Sequence, residues 1–425
     1  MNKPLVTEKL YDADAYCKAF TATVISCEEA EDRKGLYAVV LNRSAFFPEG
    51  GGQYADTGTL QEFKKDCETP LSGAVKVVDV QVSDDGIITH YCDGAVTPWA
   101  QVTGVLDWEQ RFERMQNHTG EHIVSGTVHR LFGLDNIGFH LGDRDVTCDF
   151  NGELTDEQLR EVERVANRAV WDNVEVLCEY PDPATLPDLD YRSKLDLTED
   201  VRLVTIPGYD VCACCAPHVA RTGEVGLIKI VNSEKAHGGT RIHMLCGPWA
   251  LDDYTIKQTN IMRIVDLTST PQEETAEAVE ALQAQNGHLT HELSVAQVQQ
   301  ADIALSFLRE REEAGEDPSG NLVVFLPKLE TDALRALANG GRDLCDGVFV
   351  VLTAGEKDLG PDGQPKSYRY IATSKGLPLS RLAKDFNATL NGRGGGRDEM
   401  VQGSFGAPMT DIVAYFHDHS WSVEG

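Results

Sequence analysis

The spacing of apolar and polar residues changes character along the chain. Up to about residue 105 it reads as strands: Ala19–Cys27 and Leu36–Phe47 are rich in apolar, β-favouring residues, and Val75–Val82 alternates apolar with polar. Gly-rich and acidic turns separate these runs, and a small β-barrel is the natural architecture. From Gln110 to Phe132 the apolar positions Phe112, Met115, Ile123 and Leu131, with Thr127, return at helical spacing. Thr155 is placed to cap a second helix running to about Trp171, with Gln158 three residues on as its capping-box partner. Val201–Ile206 and Gly226–Val231 are short apolar runs that predict strands, so residues 106–255 read as an α+β domain.

Residues 256–318 differ again. Thr270-Pro271-Gln272-Glu273 has the form of a capping box with proline at the first helical position. Val279, Leu282, Leu289, Leu293, Ala296 and Ile303 then share one heptad seam, with Asn286 at an a position. This predicts a long helix, either packed along its own domain or paired in a coiled coil, which would make a homodimer. In residues 319–425, Leu322–Leu326 and Val348–Leu352 predict buried strands, and Thr331–Ala338 and Leu379–Leu390 predict helices: a small α/β domain. The expected fold class is therefore α+β, ordered as N-terminal β-barrel, α+β metal-binding domain, long helix and C-terminal α/β domain.

No stretch approaches the roughly 18 apolar residues of a membrane span, and Met1–Tyr11 lacks the apolar core of a signal peptide. The 11 cysteines are an odd, scattered set apart from Cys212, Cys214 and Cys215. That excludes a small disulfide scaffold and fits a reducing, cytoplasmic setting. The formal net charge of -30 argues by itself against a nucleic-acid partner. Charge acts in patches, however, and two basic clusters stand out: Arg111 with Arg114, and Arg393 with Arg397 around a glycine run.

His118-Thr119-Gly120-Glu121-His122 places two imidazoles on one face of a helix, close enough to share a metal ion. Cys214-Cys215-Ala216-Pro217-His218 adds a cysteine and a histidine at the same spacing. Each half alone is a weak signal, but three imidazoles and a thiolate form a donor set that suits zinc. Cys212 and Cys215 compete with Cys214 for the sulfur position, and spacing does not choose among them.

These two motifs resemble the HxxxH and CxxxH pair of the editing domain of alanyl-tRNA synthetase and its free-standing relatives, the AlaX proteins. The resemblance extends along most of the chain. Glu49-Gly50-Gly51-Gly52-Gln53 with Asp56-Thr57-Gly58 is similar to the family's GGQxxDTG segment, and Asp107-Trp108-Glu109 through Arg111 to the run before the metal helix. Arg221-Thr222-Gly223-Glu224-Val225-Gly226 is similar to its RTGEIG. Gly392–Arg397 with Gln402-Gly403 resembles the C-terminal domain shared with DHH phosphoesterases, whose catalytic aspartate–histidine motifs are absent here. The family's CGGTH is CCAPH in this chain, which alters the backbone around Ala216 and Pro217.

The resemblance implies a zinc-dependent hydrolase that removes serine, with glycine as a second candidate, from tRNA(Ala). It implies metal ligation by His118, His122, Cys214 and His218. Thr119 and Glu121 are the expected groups beside the substrate, Glu121 as general base and Thr119 on the serine hydroxyl, with Gln53 brought to the mouth of the pocket by its glycine turn. Arg111, Arg114, Arg393 and Arg397 are the expected tRNA contacts. Only about fifteen residues precede the first strand, so the expectation is correction of charged tRNA without activation of alanine. Four protein ligands also describe a closed, structural zinc site. That leaves open a non-catalytic tRNA-binding protein, and the related threonyl-tRNA synthetase domain leaves open another tRNA.

Overall fold

The computed structural model describes residues 6–63, 73–193, 201–315 and 320–421. It has the expected α+β class and divides into two compact units, Met1–Met262 and Arg263–Gly425. The first unit opens with β1 (Glu8–Lys9) and the short α1 (Leu10–Ala13), followed by β2 (Ala19–Glu29), β3 (Tyr37–Leu41), β4 (Arg43–Ser44), β5 (Gly58–Phe63), β6 (Val75–Val82), β7 (Ile88–Cys92) and β8 (Gln101–Leu106). Six of these close a barrel in the order β2-β3-β7-β6-β5-β8, and β1 pairs with β4 beside it.

Phe20, Ala22, Val24, Val39, Leu41, Leu60, Ile88 and Val102 fill the barrel. The alternation expected of Val75–Val82 holds only in part. The register slips between Val77 and Asp79, so Val77 and Val80, three apart, both face inward while Val78 is exposed. A bulge carries the extra residue and sharpens the bend that closes the barrel.

From the barrel the chain enters α2 (Trp108–Phe132), capped by Asp107 and ended by Gly133 in the left-handed conformation. Every residue from Arg114 to Val128 on this helix is buried. That is why its apolar periodicity is blurred: a helix enclosed on all sides has no solvent stripe to set against a core stripe. Around it lie β9 (Asn136–Leu141), β10 (Val146–Phe150), α3 (Asp156–Asp172), β11 (Leu177–Glu179), β12 (Leu203–Ile206), β13 (Asp210–Ala213), β14 (Ile228–Ala236) and β15 (Gly239–Cys246). These strands form a four-stranded sheet, β14-β15-β10-β9, and a three-stranded one, β11-β12-β13. The capping box at Thr155 and Gln158 is formed. The unit ends within α4 (Gly247–Thr268), a helix the apolar pattern did not single out.

The second unit holds α5 (Thr275–Glu313), β16 (Leu322–Phe325), α6 (Thr331–Gly340), β17 (Val348–Thr353), β18 (Tyr368–Ser374), α7 (Leu379–Thr389), β19 (Gly392–Arg397), β20 (Met400–Phe405) and α8 (Met409–Asp418). Its sheet runs β16-β17-β18-β20-β19, with β19 at an edge. Ala301 and Leu305 of α5 join Leu334 and Leu337 of α6 over one face, and Phe386 and Phe416 cover the other. The box expected at Thr270 does not form. Thr270 Oγ1 pairs with Thr268 Oγ1 at 2.7 Å, and a short 3-10 turn over Gln272–Glu274 precedes α5. Among the described residues no helix is long and apolar enough to cross a membrane.

Candidate functional site

The two half-motifs meet. His118, His122, Cys214 and His218 bring one donor atom each to within 4.8 Å of one another, a group that could hold a metal ion. Cys214 Sγ lies 3.5 Å from His118 Nε2 and 3.4 Å from His218 Nε2. A tetrahedral ion with bonds of about 2.0–2.1 Å to nitrogen and 2.3 Å to sulfur separates such atoms by about 3.5 Å, so the residues fit the group they were expected to hold.

The outer edge of each imidazole supports the same reading. His118 Nδ1 donates to Gln53 Oε1 at 2.8 Å, His122 Nδ1 to Asp210 Oδ2 at 2.9 Å, and His218 Nδ1 to Thr119 Oγ1 at 3.0 Å. Three different partners thus hold the Nδ1 side, leaving each Nε2 for the centre, which is how metal-ligating histidines are oriented. Burial pushes the Cys214 thiol up. The His118 and His218 imidazoles beside it, with hydrogen bonds from His118 and His122, win and hold it well below the ordinary thiol range. Burial pushes His218 itself down to about 3.

The choice among cysteines follows from these positions. Cys214 is in the four-residue group. Cys212 groups instead with His122 and Asp210, and Cys215 is exposed on the cavity wall. Asp210 was not legible as a site residue. Arg192 clamps it through two contacts, Nε to Oδ1 and Nη2 to Oδ2, both at 2.8 Å. A Cβ on Gly126 would collide with Tyr209 O, so glycine at that point of α2 lets the start of β13 approach and brings Asp210 to His122.

Several expected roles change. Gln53 does not stand at a pocket mouth. It is fully buried behind His118, reached by a turn in which Gly51 and Gly52 take φ of 60° and 83°. Gly52 lies so close to Phe139 O that a Cβ there would sit 2.5 Å from it. Thr119 is buried too, and its oxygen serves His218 and the Val219 amide, so it positions a ligand and does not face substrate. Arg111 is not a tRNA contact. It is enclosed at the joint between α2 and the barrel, paired with Asp56 and donating to Ala15 O and Ala45 O. Losing one member of such a buried pair costs about 3–5 kcal/mol. Arg114 is likewise buried, bonding Ala55 O with Asp143 3.6 Å away, which corrects the expectation of a phosphate-facing cluster there. Arg393 and Arg397 are exposed on β19.

Glu121 lies beside His122 at the same cavity. Its Oε1 accepts from Ser125 Oγ and Asn136 Nδ2, both at 2.6 Å, and its Oε2 is 3.9 Å from His122 Nε2. His118, Glu121, His122 and Cys214 line one cavity of about 720 Å³, whose wall also includes Phe139, Arg192 and Arg202.

Fold and site together define a class: three histidines and one cysteine that could hold a metal ion, lining a cavity in an α+β domain that follows a β-barrel. The comparisons agree with it. Residues 201–243 match the family described as "Threonyl and Alanyl tRNA synthetase second additional domain". The chain is homologous to alanine–tRNA ligases over most of its length, with 28% identity to that of Ignicoccus hospitalis over 410 residues, 92% of this chain and 40% of the ligase. It is 36% identical to that of Halobacterium salinarum over 286 residues, 64% of this chain and 30% of the ligase. The chain therefore spans well under half the length of these curated relatives. The C-Ala domain from Aquifex aeolicus alanyl-tRNA synthetase aligns with 24% of this chain and 94% of its own at 16% identity and a TM-score of 0.19, too loose a superposition to bear on the fold.

Proposed function

We propose that the protein is an aminoacyl-tRNA deacylase that hydrolyses serine, and more weakly glycine, from mischarged tRNA(Ala) in the cytoplasm, with zinc held by His118, His122, Cys214 and His218. The observation that carries this reading is the set of three imidazoles turned toward Cys214 by Gln53, Asp210 and Thr119, with Glu121 beside them in one cavity. Homology to alanine–tRNA ligases supports the substrate class.

Zinc, when bound, supplies Lewis acidity toward the ester carbonyl and acidifies water. The chain supplies the rest. Ser125 and Asn136 hold one oxygen of Glu121; the carboxylate takes the proton of the attacking water as the new C–O bond forms and returns it to the ribose oxygen of the tRNA as the ester bond breaks. Alanine is smaller than serine, so size does not exclude it, and selectivity needs a site that bonds the serine hydroxyl. Without that hydroxyl the bonding groups stay unpaired, which discriminates by a factor on the order of 10⁴. With Thr119 committed to His218, the groups lining the metal cavity are left to bond the hydroxyl.

The test is deacylation of Ser-tRNA(Ala), Ala-tRNA(Ala) and Thr-tRNA(Thr) by the zinc-loaded protein. Rapid loss of the first alone is expected, and Glu121→Gln should lower kcat by about 10²–10⁴ while retaining metal. Cleavage of Thr-tRNA(Thr) alone would move the specificity to the other branch of the matched family. A closed set of four ligands favours a second reading, a zinc-stabilised tRNA-binding protein. Binding of tRNA(Ala) without turnover of any ester would select it.

A further inference from the structure

The metal cavity is larger than its chemistry requires. At about 720 Å³ it lies in the range that takes a whole drug-sized ligand. An ester-linked serine would occupy a small part of that, so something else of the substrate belongs inside.

Charge indicates what. The chain as a whole carries -30. Yet this wall presents three cations, Lys9, Arg192 and Arg202, against a single carboxylate, Glu121. Two of the cations have structural duties. Arg192 clamps Asp210, and Arg202 Nη1 holds the Cys214 and Ala216 carbonyls in the metal loop. Lys9, in β1, is exposed, and its ammonium makes no hydrogen bond or ion pair with a described residue.

Tyr180, just after β11, supplies the second feature. Its hydroxyl donates to Asp12 Oδ2 at 3.0 Å, which pins the ring, while the residue stays 53% exposed. No other ring among the described residues packs on it. The cavity's depth order follows from burial: the metal-facing His118, Glu121 and His122 are buried, whereas Lys9, Gly51, Gly52, Tyr180 and Cys215 are exposed. An open, pinned aromatic face and an uncommitted ammonium thus stand at the mouth of a cavity whose floor is the metal centre.

We propose that this mouth binds the 3′-terminal nucleotide that carries the ester, with its base stacked on Tyr180 and its phosphate paired with Lys9. Stacking on aromatic rings beside cations is the general mode of single-strand recognition. The proposal rests on the hydrolase reading only for which nucleotide is bound. It provides a phosphate contact within the first unit, where Arg111 and Arg114 are buried.

The experiment uses the full-length, zinc-loaded protein with three esters: Ser-tRNA(Ala), 3′-O-seryl-adenosine and serine ethyl ester. Binding of the trinucleotide CCA by calorimetry is the readout independent of turnover. Tyr180→Ala should raise KM about tenfold for both nucleoside esters and weaken CCA to a similar degree, with kcat and serine ethyl ester hydrolysis unchanged. Tyr180→Phe, which keeps the ring, should restore KM. Lys9→Gln should raise KM for Ser-tRNA(Ala) and weaken CCA but leave seryl-adenosine, which lacks the phosphate, as it was. Equal loss on all three esters, or unchanged KM and CCA binding, overturns the assignment. If the wild-type protein cleaves no ester but binds CCA with the same dependence on Tyr180 and Lys9, the hydrolase reading fails and the nucleotide site stands.

Discussion

At the scale of single residues, the orienting partners of the histidines matter as much as the ligands. Removing such a partner from a metal site typically lowers affinity 10–100-fold. We expect elemental analysis to find one zinc per chain, Cys214→Ala to lose most of it, and Cys215→Ala to retain it. Gln53→Ala should keep the fold but release zinc to a chelator at lower concentration than wild type. Full retention in Cys214→Ala with loss in Cys215→Ala would reassign the sulfur ligand. Away from the metal, His90 makes a separate prediction. It is fully buried in the barrel, 2.7 Å from Ser44 Oγ, and burial pushes it down to about 4. The unfolded value is about 6.5, so below that pH the unfolded chain takes up a proton the folded barrel refuses. Stability contributed by neutral His90 is therefore present above about 6.5 and falls as pH drops toward 4, by about 3 kcal/mol in full. Urea midpoints measured across that window should drop less steeply in His90→Gln. Equal slopes would exclude His90 as the source.

At the scale of elements, the first half-site was legible because His118 and His122 lie one turn apart on α2, whereas Cys214 and His218 lie in an irregular segment after β13, where spacing offered the pair but did not choose Cys214 over its neighbours. The partners Asp210 and Arg192 were not legible. They reach His122 through the packing of β13 against α2, and no local pattern records that approach. Glycines 51 and 52 were legible as a turn, but its target, the back of His118, depends on where β9 lies. The same logic divides α5. Its heptad pattern predicted the helix, but the face that packs on α6 carries Ala301 and Leu305, while Leu282, Leu289 and Leu293 on the seam are each 54% exposed and Ile303 is 72% exposed. An exposed apolar seam, distinct from the Ala301–Leu305 face that packs on α6 and carrying Asn286 at an a position, fits pairing with a second copy of the chain. Sedimentation of the wild type should show a dimer, and Leu289→Glu with Leu293→Glu a folded monomer. A monomeric wild type would dismiss the pairing. On β19, Arg393, Gly395 and Arg397 lie on one face of an edge strand, and a Cβ at Gly395 would meet nothing within 4 Å. That open stretch between two guanidiniums suits a phosphate backbone. Arg393→Ala with Arg397→Ala should weaken tRNA binding and flatten its dependence on salt, since fewer counterions are released. An unchanged slope would mean the phosphates are held elsewhere.

At the scale of the whole molecule, the proposed function would assign different work to the two units that divide after Met262. The metal centre, the cavity, Glu121 and the Lys9–Tyr180 mouth all lie in the first unit. The α5 seam and the β19 arginines lie in the second. A -30 chain makes few favourable contacts with a polyanion, so each basic site should weigh heavily in affinity and little in chemistry. A fragment of residues 1–262 should therefore fold, retain zinc and cleave Ser-tRNA(Ala) in single turnovers at saturating enzyme close to the full-length rate. Its affinity for tRNA(Ala) should fall by about tenfold or more, because losing two phosphate contacts removes the salt-dependent part of binding that they supply. Circular dichroism and zinc content establish that the fragment is intact, and rapid-quench kinetics against enzyme concentration separate the two quantities. If the intact fragment binds tRNA as tightly as the full chain, the second unit contributes nothing to recognition. If it binds but does not cleave, the second unit completes the reacting site, and the separation into a chemical unit and a binding unit is wrong.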